Sequence, residues 1–217
     1  MTEKKGKLPK KKSGSSCFEE RGEKMMDMNP KNLEMLIQSA VNQSCLEPEQ
    51  IPDLDLYIDQ ILMLFEDKLG DTRRREKDKI LTKSMVNNYS KERMIRPMKG
   101  KKYTREQVLQ ILMICSLKNM LSIGDIKQVM TILMENGIEA KGLEEIFATN
   151  RVNQQKVKES ISHILSGLQD SYTDEMDTVE VVSLILGLAS ISGYCKRISE
   201  ALIDNFFAAE EKTKGGK

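Results

Sequence analysis

With 217 residues, 39% of them apolar and 31% charged, the chain can bury one or two compact cores, which excludes an unfolded polyelectrolyte. A single histidine and four scattered cysteines, Cys17, Cys45, Cys115 and Cys195, give no metal template and no disulfide framework, so idle thiols in a reducing cytoplasm and no cofactor are expected. The formal net charge is only +1, but residues 72–105 carry thirteen bases against three acids, whereas residues 135–217 carry nine bases against fourteen acids. Such a distribution suits a nucleic-acid face joined to a partner or sensor module.

Residues 1–28 are lysine-rich, without apolar periodicity or a hydrophobic leader, and are expected to form a disordered basic tail. Asn29 and Pro30 form an N-cap and first-turn proline for a short helix with Leu33, Leu36, Ile37, Ala40 and Val41 on one face. After Pro52, the apolar residues Leu54, Tyr57, Ile58, Ile61, Leu62, Phe65 and Leu69 step by three and four. This spacing predicts a helix over 54–69, closed by Gly70 and followed by the charged turn DTRRREKDK.

Thr82 then caps a helix with Met85, Val86 and Tyr89 on its apolar face and Lys83, Ser84, Asn87, Asn88 and Lys91 on its polar face. Pro97 and Gly100 break the helical pattern. Arg96, Lys99, Lys101 and Lys102 crowd a short extended connection ending at Tyr103, which predicts a basic wing. Thr104 and Gln107 form a capping box ahead of an apolar helix with Val108, Ile111, Leu112, Cys115 and Leu117. Ser122 and Asp125 repeat the signal, and Asn136-Gly137 stops the helix they start.

Beyond Gly137 several medium helices are expected. One stretch carries Leu143, Ile146 and Phe147, and another carries Val157, Ile161, Ile164, Leu165 and Leu168. A third is capped by Thr173, apolar all round from Val179 to Ile191 and ended by Gly193, and a last one carries Ile198, Ala201, Leu202 and Phe206. The run VVSLILGLASISG is shorter than a membrane span, so it reads as a central core helix and no membrane partner is expected. The fold class is therefore all-α with at most a small β wing: a basic tail (1–28), N-terminal helices plus a winged helix-turn-helix (29–137), a helical module (138–210) and a flexible tail (211–217).

The order NNYSKERMIRP, a lysine-rich wing, Tyr103, then QVLQILMICSLKNMLSIGDIKQVM resembles the MerR family of transcription regulators. That family's pattern runs Arg-Tyr-Tyr, Gly-Leu-Leu-x-Pro, a wing and a helix pair ending Ser-Leu-x-Glu-Ile. Tyr89, Met94, Ile95, Pro97, Ile123 and Ile126 fall where it is aromatic, apolar or proline, while Asn87 and Asn88 replace its Arg-Tyr and Arg93 replaces its glycine. LTKSMVNNYSKERMIRP, KKYTREQ and LSIGDI are more closely similar to domain-of-unknown-function family 1836, over roughly Ile51 to Asp204. The first resemblance implies a MerR-like winged domain. The second names a family without giving an activity.

No catalytic constellation is legible. There is no nucleophile elbow and no phosphate-binding glycine loop, and His163 lies between Ile161 and Ile164 in an amphipathic pattern. The expected function is a non-catalytic, duplex-DNA-binding transcriptional regulator. Asn87 and Asn88 read bases, while Lys83, Ser84, Lys91, Lys99, Lys101, Lys102 and Arg105 position the duplex. The alternative is a protein-interaction module using the winged fold, with the fourteen methionines, Met25, Met26 and Met28 among them, supplying adaptable contacts. A homodimer through the C-terminal helices is expected, and no metal.

Overall fold

The structure, a computed structural model, describes residues 29–169 and 175–207. In chain order it contains α1 (Pro30–Val41), β1 (Leu56–Tyr57), α2 (Ile58–Leu69), α3 (Lys83–Lys91), β2 (Lys102–Tyr103), α4 (Arg105–Leu117), α5 (Ile123–Glu135), α6 (Ala140–Gln169) and α7 (Thr178–Phe206). The fold is mostly helical, with one two-stranded sheet among the described residues. The expected basic tail, with Met25, Met26 and Met28, lies outside the described residues, as does Thr173.

Helix starts follow the caps read from sequence. Asn29, Thr82, Thr104 and Ser122 each accept a backbone N–H from three residues on, satisfying one of the donors a first turn leaves unpaired. At the other end of α5, Gly137 takes φ +68°, and Ile138 N–H reaches back to Leu133 O at 2.9 Å, the left-handed closure that glycine adopts without strain.

The predicted 54–69 helix starts later, at Ile58. Residues Leu56 and Tyr57 are extended and pair antiparallel with Lys102 and Tyr103, Leu56 opposite Tyr103 and Tyr57 opposite Lys102. Strand alternation then buries Leu56 and Tyr103 and leaves Tyr57 and Lys102 outside, so Leu54 and Tyr57 are exposed rather than part of a helical apolar face. The expected wing is consequently no self-contained hairpin, because β2 pairs with the segment ahead of α2.

The main core runs from Leu46 to Leu143 and centres on α4. Every residue from Gln107 to Cys115 is buried, against α5 and α6 and among Ile61, Phe65, Val86, Met94, Ile126 and Met130. A smaller cluster joins Leu33 of α1 to Met176 and Leu184. The C-terminal part departs from the expected medium helices. It consists of two long ones, α6 of 30 residues and α7 of 29. Asp177, not Thr173, caps α7, with Oδ1 accepting Glu180 N–H at 2.8 Å. Gly193 does not end it: an interior glycine costs a helix only about 1 kcal/mol, and the hydrogen-bonded ladder continues to Phe206.

The expectation of a central α7 is overturned. In its most apolar 18-residue window, long and apolar enough by composition to cross a membrane, only 6% is buried. The central helix is α4, which the chain surrounds, whereas Ile185, Leu186, Ile198 and Phe206 of α7 face outward.

Candidate nucleic-acid interface

Helix α3 is built to turn a polar edge outward. Val86 is fully buried and Tyr89 nearly so, and they fix the helix against the core, leaving Lys83, Ser84, Asn87, Asn88 and Lys91 exposed. Burial pushes the Tyr89 phenol up to about 12, and it is a packed aromatic rather than a contact residue. At the helix start, Lys83 Nζ lies 2.8 Å from Asp59 of α2, an exposed pair that solvent and salt loosen readily.

The helix ends in a tight closure. Arg93 N–H donates to Ser90 O at 3.1 Å and Met94 N–H to Tyr89 O at 2.9 Å, with Arg93 at φ +56° and the Met94 side chain fully buried. This is the two-bond left-handed cap that normally uses glycine. The MerR-like pattern has glycine there, and this chain holds an arginine in the same backbone conformation.

From this cap the chain enters the 96–103 connection, whose base is clamped by two glutamines buried in α4. Gln110 Oε1 accepts Arg96 N–H at 2.9 Å, and Gln107 Nε2 donates to the Arg96 and Pro97 carbonyls at 2.9 and 3.2 Å. Gln107 Oε1 also accepts Thr104 N–H at 2.8 Å, so one side chain closes both the capping box and the connection. Arg96 itself is held by Glu106. Above the clamp Lys99, Lys101 and Lys102 are exposed, and Gly100 sits at φ +101° in open space, where a side chain would be strained by backbone conformation alone.

Lys102 Nζ lies 5.0 Å from the Tyr57 ring centroid, and Tyr103 reaches the Ser90 hydroxyl, which ties the connection to α3. Burial raises the Tyr103 pKa, and that hydrogen bond acts against the rise.

Of the nine residues expected to meet DNA, eight are exposed along α3 and the connection: Lys83, Ser84, Asn87, Asn88, Lys91, Lys99, Lys101 and Lys102. Arg105 is turned inward. Its Nε donates to Glu144 at 2.7 Å, and its terminal nitrogens bind the carbonyls of Ile51 and Pro48, fastening α6 and the segment before β1 to α4. With three of its five N–H donors used within the fold, Arg105 is not presented alongside the exposed lysines. Sequence reading missed the exposed Arg74 and Arg75 in the α2–α3 connection, although the charge run itself was legible. Gln107 serves as more than a cap, and the sequence signal for the Gln107–Gln110 clamp is two glutamines three apart in an otherwise apolar helix.

A cavity of about 580 Å³ lies between Leu46, Arg74, Ile80, Leu112, Cys115 and Phe147, with no residue of α3 or of the 96–103 connection in its lining. Two of its basic groups are engaged: Lys118 Nζ donates to Ile80 O at 2.5 Å, and Arg73 pairs with Glu66 at 2.6 Å. Among the described residues no group of three or more His, Cys, Asp or Glu is placed to hold a metal ion.

No curated protein and no solved structure matches the chain. One family profile does match, over residues 46–176, described as a domain of unknown function, DUF1836. The matched span is shorter at its C-terminal end than the resemblance to Asp204 suggested: it includes the α2–α6 body and stops before α7. Covering more than half of the sequence, it shows that the chain belongs to the DUF1836 family.

Proposed function

We propose that the protein is a non-catalytic, DNA-binding transcriptional regulator of the MerR-like winged helix-turn-helix type, acting in the cytoplasm. The observation that carries this reading is the pairing of α3 with the 96–103 connection. A capped helix offers Asn87 and Asn88 on an exposed edge, and a clamped turn beside it offers Lys99, Lys101 and Lys102. An amide side chain can pair bidentately with adenine in the major groove, while lysines on a turn neutralise backbone phosphate. Arg74, Arg75, Lys77 and Lys79, exposed in the connection ahead of α3, add to the positive charge of the same half of the chain.

Titration of duplex DNA against salt tests the reading. With about five phosphates neutralised, log affinity falls against log salt with a slope of roughly −4 to −5. Exchanging Lys99, Lys101 and Lys102 for alanine weakens all sequences alike. Affinity that stays flat between low and moderate salt removes the DNA reading and leaves the protein-interaction module.

A further inference from the structure

The cavity of about 580 Å³ has no part in the DNA reading, yet four separate stretches of chain meet around it: residues 43–47, the α2–α3 connection, the end of α4 and the middle of α6. Its volume falls within the roughly 300–1,000 Å³ of small-molecule sites, more than a lone inorganic anion fills. The lining holds five bases, Arg73, Arg74, Lys79, Lys118 and Arg151, against two acids, Glu47 and Asp78. A concave site with that excess of positive charge attracts an anion.

Most of these bases keep donors in reserve. Among the described residues, the side chains of Arg74 and Lys79 have no hydrogen-bond or ion-pair partner. Lys118 uses one of its three N–H donors on Ile80 O, and Arg151 is held only by two loose pairs of 3.7 Å, to Glu47 and Glu49. Exposed pairs of that kind yield readily to a stronger anion. Guanidinium and ammonium groups lining one cavity suit a phosphate, which takes charge and several N–H donors at once.

The rest of the lining describes the body that carries the phosphate. Leu46 and Leu112 are buried and Phe147 half-buried, an apolar and aromatic wall on which a flat ring can stack. Most of the remaining lining is polar. The amides of Asn119 and Asn150, without a partner among the described residues, can pair with the edge of a nucleobase. A fatty carboxylate would lay its chain against polar groups it cannot satisfy, and a bare sugar phosphate would leave the apolar wall uncovered. A nucleotide matches all three features: phosphate, polar sugar and flat ring.

We propose that this cavity binds a 5′-mononucleotide, with its phosphate held by Arg74, Lys79 and Arg151 and its base against Leu46, Leu112 and Phe147. The site does not depend on the DNA reading, because none of its lining belongs to α3 or to the 96–103 connection. Titration calorimetry of the full chain with AMP, GMP, CMP and UMP is expected to find one site per chain for at least one of them, with Kd below about 1 mM. The corresponding nucleoside, ribose 5-phosphate and octanoate should each bind at least about tenfold more weakly. Arg74→Glu and Arg151→Glu, both at exposed positions, should each weaken the nucleotide at least about tenfold. Lys31→Glu, exposed on α1 and outside the lining, should leave it unchanged.

Cys45 supplies a readout on the unaltered protein that no variant's folding can confound, since it is exposed and lines the cavity, whereas Cys195 is exposed on α7 outside it. At roughly ten times its Kd the nucleotide should slow maleimide labelling of Cys45 at least about threefold and leave Cys195 at its free rate. Absence of binding by all four nucleotides overturns the proposal. So does ribose 5-phosphate or octanoate binding as tightly as the nucleotide, an affinity indifferent to both charge reversals, or a Cys45 labelling rate that the nucleotide does not change.

Discussion

Arg93 shows how much a single backbone angle records. It occupies φ +56° at the end of α3, where the Cβ of an L-residue is crowded and only the surrounding hydrogen bonds and the buried Met94 hold it. Arg93→Gly is expected to stabilise the fold by about 1 kcal/mol, read by urea denaturation, because glycine adopts that angle freely. Cys115 makes the complementary case for burial, which raises its thiol to about 11. A thiol-reactive maleimide at pH 8 should label Cys45 and Cys195, both exposed, in the folded protein and reach Cys115 only after unfolding. Tyr89 adds a sign to the pH dependence. Its folded-state pKa, about 12, lies above the ordinary value near 10, so its contribution is fully present below about pH 10 and is lost as pH climbs toward 12. Stability measured across pH 9–12 should therefore fall, and Tyr89→Phe should shallow that fall.

Among the elements, α3 and the 96–103 connection are held by different forces, and their variants separate accordingly. Tyr89→Ala removes a buried aromatic and should cost on the order of 3 kcal/mol of stability. Asn87→Ala and Asn88→Ala lie on the exposed edge, so folding should be preserved while affinity for a cognate DNA site drops by about 1–3 kcal/mol. An equal loss on random DNA would assign them to backbone positioning instead. Gln110→Ala leaves the Arg96 N–H without its acceptor and is expected to destabilise by about 1–3 kcal/mol in chemical denaturation. The caps show why the element starts were legible. An N-cap involves residues three apart, so Thr82 with Met85 and Ser122 with Asp125 can be read locally. The strand Leu56–Tyr57 was not, because its partner Lys102–Tyr103 lies more than forty residues away and nothing in its own sequence distinguishes the start of a helix from an extended pair.

At the scale of the whole molecule, the core Leu46–Leu143 contains no residue of α7. A chain ending at Ser192 is therefore expected to keep one cooperative thermal transition at submicromolar concentration. Its loss would place the end of α7 in the core. By itself the sequence determined the all-α class, the caps, the stop at Gly137 and the amphipathic face of α3, all of which depend on interactions within a few residues. The exposure of the lysines and amides along α3 and the connection follows from that same local periodicity. Tertiary structure alone decided which basic group is taken inside, as Arg105 is by Glu144 and two carbonyls contributed by distant segments. It also decided which of two apolar helices is central. All-round apolarity states that a helix needs neighbours, and it does not state whether they come from the same chain. For α4 they do, and α7 is left uncovered because the packing around α4 is complete without it.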